Sequence, residues 1–205
     1  VSSTANIVEQ EKLYTKDLKT GVLFGGINYN PDTLVWKSSV EKSYIETEII
    51  GKVNFYSKNI TDSTRNSLKL SYLNGTLEEI EQIQLILDKA KISSILYKEN
   101  HATEEVFKEL GANPPDILHI ATHGFYFPIE ETKRQPAFLM QDDKTFVQNP
   151  LLRSGLMLAG AEYAWNNNPI QGVENGILTA SEVSQTNLFG TELVVLSACQ
   201  TGLGD

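Results

Sequence analysis

DILHIATHG, residues 116–124, begins after the Pro114-Pro115 break with an apolar run too short for a helix and ends in a His-Gly pair. Such a run, four to eight residues long and bounded by turn signals, predicts a strand buried on both faces, as in a parallel sheet. A second run of the same kind, Glu192-Leu-Val-Val-Leu196, delivers Ser197-Ala-Cys199-Gln-Thr-Gly202 at its C-terminal end. A third, GVLFGGINY from Gly21, is closed by Asn30-Pro31-Asp32, which is turn chemistry, and predicts the first strand over 21–29.

Helical signals alternate with these runs. Thr76-Leu-Glu-Glu79 has the pattern of a capping box, and Leu77, Ile80, Ile83, Ile86 and Leu87 then recur at helical spacing, so the sequence predicts a helix from about 77 to 90. KISSILY follows as a strand and ATEEVFKEL as a short helix stopped at Gly111. Residues 31–75 read as an insertion with one or two edge strands, on the alternation in YIETEIIGKVNFY and the polar run SKNITDSTRNS. Residues 124–153 read as a long loop, SGLMLAG as an extended piece, Asn166–Pro169 as a turn, and 179–186 as a short helix. The expected fold is therefore α/β, with a mostly parallel central sheet and helices on both faces. Ligands of such sheets bind beyond the carboxyl ends of the strands, where His123 and Cys199 both fall.

The chain has 205 residues, 40% hydrophobic and 21% charged, enough for one sizeable core, and reads as a single domain over 1–205. Its formal charge of -9 is scattered over 26 acidic and 17 basic residues, which argues against a nucleic-acid surface. No stretch approaches the roughly 18 consecutive apolar residues that span a bilayer, so no membrane contact is expected. The single cysteine can form no internal disulfide and cannot build a Cys-rich zinc site; a reducing cytoplasm is the expected compartment.

That one thiol and a histidine at a neighbouring strand end suffice for nucleophilic chemistry. An imidazole beside a thiol lowers its pKa and can protonate a leaving amine. Gly124, with no side chain to block approach, can offer its N–H to a developing oxyanion, and the N–H of Cys199 is the second candidate donor. Taken alone, a cysteine after an apolar strand is more often an inert buried thiol; the small residues Ser197 and Ala198 before Cys199 and the glycines after it favour an exposed turn. His119, inside the strand, reads as a core histidine with a satisfied ring nitrogen. A metal pair with His123 is set aside, because four strand residues span about 13 Å, and no cofactor is expected. The terminal Gly-x-Gly is too little for a dinucleotide loop.

Together DILHIATHGF and LVVLSACQTGLGD resemble the CHAT family, a caspase-like peptidase domain found beside tetratricopeptide repeats in bacteria. LNGTLEEIEQI through ENHATEEVFKEL is similar to the helix, strand and helix that precede the family histidine, and NGILTASEV to the stretch before the cysteine strand. The likeness covers roughly residues 70–205. It implies a caspase-haemoglobinase three-layer sandwich in which His123 matches the catalytic histidine, Cys199 the nucleophile and Gly124 the oxyanion donor. It implies a cytoplasmic cysteine endopeptidase acting on protein substrates, regulated by a repeat domain or other partner, autoprocessed, and used in bacterial antiviral defence or cell death.

The family domain continues past the cysteine motif, so this chain is expected to lack the C-terminal part of the fold, either by truncation or as the larger fragment of a processed enzyme whose C-terminal fragment, as a partner, completes it. Related enzymes that cut after basic residues often carry Asp two positions before the nucleophile. That position is Ser197 here, so a basic pocket built in that way is absent. Glu130, Glu131, Asp142 and Asp143 in the long loop are the remaining candidates to supply one, against the plainer reading of a solvated loop face. Two other classes remain in view: a catalytically silent caspase-like scaffold, and a nucleotide-binding α/β domain.

Overall fold

A computed structural model describes residues 17–46, 69–128 and 149–198 of the chain. The first apolar run forms β1, Thr20–Ile27, and KISSILY forms β2, Ser93–Glu99; DILHIA gives β3, Ile117–Ala121. β1 is sandwiched between β2 and β3, parallel to both, and the last strand, β7 at Leu193–Ser197, pairs in parallel with the far side of β3. The order β2-β1-β3-β7 is the parallel sheet expected from the alternating pattern. Asp116 fastens its start: its Oδ2 accepts from the Lys19 N–H at 2.8 Å and the Thr20 N–H at 3.0 Å.

Side-chain alternation divides this sheet into two faces. Leu23, Ile117 and Ala121 pack on Ile80 and Leu87 of α2, Asn74–Lys89. The even-numbered set, Val22, Phe24, Leu118 and Ile120, packs on Val106 and Phe107 of α3, Glu104–Glu109. Helices therefore cover both faces, giving three layers.

α2 approaches β1 so closely that a Cβ at Gly25 would lie 2.5 Å from the Thr76 carbonyl oxygen. This contact corrects one reading. Helix α2 begins at Asn74, and Thr76 makes no capping box: its hydroxyl accepts the Gly26 N–H at 2.9 Å and donates to the Leu73 carbonyl at 2.7 Å. Glu79 turns inward to the sheet. The capping box of this fold lies at Thr179–Glu182 instead.

Two further readings change. Of the alternating run 44–56, on which edge strands were expected, only 44–46 are described, and they close a helix, α1, Thr33–Glu46; 47–56 lie outside the described residues. Asp32 caps α1 by accepting the Leu34 and Val35 N–H groups at 3.0 and 3.2 Å. Period-2 spacing over Tyr44–Glu46 is overridden by that cap and by Trp36, which is buried and stacked on Tyr163 with ring centroids 6.0 Å apart. The polar run at 57–67 lies outside the described residues. The second change concerns 124–153. Gly124–Tyr126 is a strand, β4, pairing antiparallel with β5, Ser154–Met157, which in turn pairs with β6, Ile177–Thr179. This second sheet buries Phe125, Leu156 and Leu178 against the same core as Leu118 and Ile120. Two short helices complete it, α4 at Ala161–Trp165 and α5 at Ala180–Gln185.

The first turn of α3 carries a buried ionic knot. Glu104, fully buried, accepts the Gly176 N–H at 3.0 Å, while Glu105 accepts the Glu174 N–H at 2.7 Å. Lys108 Nζ lies 2.6 Å from Glu104, 3.1 Å from Glu182 and 3.3 Å from Glu174. Burial pushes the Glu104 carboxyl well above the ordinary carboxylate range. Burial also opposes charge on Lys108 and Glu182. The surrounding carboxylates nonetheless raise Lys108, and hydrogen bonds from Glu104 and Thr179, with the Lys108 charge, hold Glu182 low.

Candidate active site

His123 stands at the joint between the two sheets, two residues past the end of β3 and one before β4. The backbone fixes it from both sides. The Thr122 N–H donates to the Ser197 carbonyl at 3.1 Å, continuing the β3–β7 ladder, and the His123 carbonyl accepts the Met157 N–H at 2.9 Å. Parallel pairing sets Ala121 opposite Ser197. The two sequence runs that end in His123 and Cys199 are thus neighbouring strands whose ends lie level.

The imidazole is half-buried, and its Nε2 is 2.8 Å from the Ser71 carbonyl oxygen, in the segment that leads into α2. A carbonyl only accepts, so Nε2 carries the proton and a neutral ring keeps Nδ1 as its acceptor. Tyr29 backs the ring, with centroids 5.0 Å apart and planes at 51°. Its orientation follows from proton counting: Thr122 donates its hydroxyl proton to the Met157 carbonyl, so the Tyr29 hydroxyl, 2.9 Å away, donates to Thr122. Burial pushes the Tyr29 phenol up, keeping it a neutral donor.

Gly124 is placed by the β4–β5 ladder. Register pairs it with Leu156, whereas the ladder's flanking bonds run from the Met157 N–H to the His123 carbonyl and from the Phe127 N–H to the Arg153 carbonyl. Bonded and non-bonded pairs alternate in an antiparallel ladder, so Gly124 is a non-bonded position and its N–H turns away from β5. That leaves an N–H beside the imidazole with no strand partner on β5.

His119 is 5% exposed, and its Nε2 lies 3.0 Å from Glu79 Oε1, a satisfied core histidine as read from the sequence. The other carboxylate oxygen of Glu79 accepts the Ser197 hydroxyl at 3.1 Å. His119, Ala121 and Ser197 share the α2 face of the sheet, and the Ser71 contact holds His123 on that side too. Ser71, Tyr29 and Glu79 escaped the sequence reading: a backbone carbonyl has no residue signature, and Glu79 is camouflaged by a helix-start pattern. Cys199, bonded to Ala198 at the end of β7, lies outside the described residues, as do Glu130, Glu131, Asp142 and Asp143. No helix among the described residues is long and apolar enough to cross a membrane.

On the opposite, even-numbered face an apolar cavity of about 200 Å³ opens among Leu118, Ile120, Phe125, Leu178, Val194 and Leu196. It holds none of the candidate reacting groups.

Compared with known protein families, the chain matches the model of the CHAT domain over residues 30–205. No curated protein and no solved structure matches it.

Proposed function

The chain belongs to the CHAT-domain family, a caspase-like peptidase family, and from that premise we propose that it is a cysteine endopeptidase with Cys199 as nucleophile and His123 as acid and base. The observation that carries this reading is the level pairing of β3 and β7. In the sequence, each candidate residue follows a paired position, Ala121 or Ser197, by two residues. The tautomer set by Ser71 supports the roles.

In the proposed reaction the Cys199 thiol gives its proton to His123 Nδ1, and the thiolate adds to the substrate carbonyl carbon. The oxyanion is stabilised by the N–H groups of Gly124 and Cys199. The proton on Nδ1 then passes to the leaving amine as the C–N bond breaks, leaving a thioester. Water attacks the thioester, giving its proton to Nδ1, and expulsion of the thiolate yields the acid. Ser71 fixes the ring through Nε2, so the same nitrogen serves both transfers.

The substrate class is protein or peptide, in the cytoplasm, with no metal, cofactor or nucleic acid required. Regulation falls to a flanking repeat domain or another partner, with autoprocessing, in bacterial antiviral defence. A partner strand on β7 fits this reading, because Leu193, Val194 and Leu196 are 45 to 48% exposed on the outer strand of the described sheet.

The test is intact mass after treatment with peptide acyloxymethyl ketones. One adduct is expected on the complete chain, absent in Cys199→Ala and strongly slowed in His123→Ala. An adduct retained in Cys199→Ala overturns the nucleophile, and no adduct on folded protein favours the silent scaffold.

A further inference from the structure

Glu162 is a buried carboxylate, 9% exposed, that the chemistry above does not use. It sits in the first turn of α4, and that turn is fixed from outside. Its own N–H donates to the Tyr29 carbonyl at 3.0 Å, and the next side chain, Tyr163, donates its hydroxyl proton to the Pro31 carbonyl at 2.7 Å. Each carboxylate oxygen of Glu162 accepts one N–H. Oε1 takes the Asn30 side-chain amide at 2.7 Å, and Oε2 takes the Leu70 backbone N–H, 92 positions away, at 2.9 Å. Leu70 immediately precedes Ser71, whose carbonyl accepts from His123 Nε2, and Tyr29 is the ring that backs the imidazole. Glu162 thus holds both groups that bound the His123 ring: Tyr29 through its backbone, and the stretch carrying the Ser71 carbonyl through its side chain.

We infer that Glu162 is a positioning residue for His123, setting the imidazole through the Ser71 carbonyl. The inference rests on the Cys199–His123 reading above and deepens it. Residues 69–73 belong to no helix or strand, so no ladder places that carbonyl. Its placement depends on the two ends of the stretch. At the α2 end the Leu73 carbonyl accepts the Thr76 N–H at 3.0 Å; at the other end Glu162 is the polar anchor, beside the partly buried Leu70 side chain. Only the torsions of Leu70 and Ser71 separate the anchored N–H from the carbonyl that meets His123. A proton stands on Nε2 both in the neutral ring that this contact selects and in the imidazolium, so the contact holds through both proton transfers. Without the anchor the ring samples other orientations and presents Nδ1 to the thiol only part of the time. What Glu162 supplies is an acceptor of the right reach. Glutamine keeps one: its carbonyl oxygen can accept from Leu70 while its NH2 faces Asn30, whose exposed amide can turn to offer its oxygen.

The experiment uses the complete chain with isotopically labelled histidine, read two ways. NMR of the ring nitrogens gives the His123 tautomer, assigned among the three histidines with His123→Ala. Fluorogenic peptides varied at the residue before the cut give kcat and KM on the best-cleaved member. In the wild type, at a pH where the ring is neutral, a single tautomer with its proton on Nε2 is expected. Glu162→Met, a good helix former without an acceptor, should give mixed tautomers and lower kcat about tenfold or more with KM changed less than about twofold. Glu162→Gln should regain the single tautomer and a kcat within about threefold of wild type. If Glu162→Met does not fold, Glu162→Asp, shorter by a methylene, withdraws the acceptor from Leu70 and should show the same two effects. A single Nε2–H tautomer in the Met or Asp variant overturns the inference whatever happens to kcat. So does an unchanged kcat, or a Gln variant as impaired as the Met one. Cleavage that survives Cys199→Ala, or no cleavage by the wild type, refutes the peptidase reading instead; the tautomer comparison then decides by itself whether Glu162 sets the ring.

Discussion

Replacing Lys108 by Met keeps the aliphatic stem and removes the one cation that, among the described residues, faces Glu104, Glu174 and Glu182. The cheapest response is for Glu104 to hold a proton at all working pH values. Keeping a glutamate of ordinary pKa protonated at pH 7 costs roughly 3.5 kcal/mol, at 1.36 kcal/mol per unit. The native protein already carries part of that cost, because burial raises Glu104 even with Lys108 present. The variant should therefore lose about 2 kcal/mol at pH 7.5, or roughly 4–8 °C in Tm for a chain of this size.

The sign with pH follows from the direction of the shift. A carboxyl raised by folding stabilises below its unfolded value and loses that contribution as pH rises toward the folded value. The deficit should thus shrink to under about 1 kcal/mol at pH 4.5, where the unfolded carboxyl is itself about half protonated. Calorimetry of both proteins at pH 4.5, 6 and 7.5 reads this directly. An equal loss at all three would mean that Lys108 acts through packing alone. Failure of Glu104→Gln to rescue Lys108→Met at pH 7.5 would refute the assignment of the cost to Glu104.

Two more outcomes follow from the site and its support. Gly160 has φ of +82°, and a Cβ there would lie 2.1 Å from the Trp36 ring, so Gly160→Ala should cost about 3 kcal/mol or more and redshift Trp36 emission; chemical denaturation followed by fluorescence checks both. Tyr29→Phe removes the donor to Thr122 beside His123 and should cost about 1 kcal/mol in denaturant unfolding, with a fall in kcat severalfold larger than any change in KM.

The sheet is legible in the sequence because β1 and β3 are buried on both faces, which forces continuous apolar runs that nothing else in a chain this polar imitates. His123, Gly124 and the pairing of their strand with the one leading to Cys199 follow from the same runs. α1 is hidden because its buried face is narrow, reduced among described side chains to Trp36, Ser39 and Val40, and its cap doubles as a turn signal. β4 and β6 are three residues each, too short for any period to register, and exist because β5 lies between them. Glu79 illustrates a different limit: a residue's place on a helix is written locally, but its partners, His119 and Ser197, are up to 118 positions away.

Every ladder in the four-stranded sheet joins segments remote in the chain; no hairpin links them, and Thr20 meets Asp116 across 96 positions. Large loops must close before any of these contacts stabilises the chain, so assembly is slow and cooperative. During synthesis the histidine emerges long before its partner strand, β7, is available. A nascent or partly unfolded chain therefore has no assembled centre, and timing alone confines any reactivity to molecules that have finished folding.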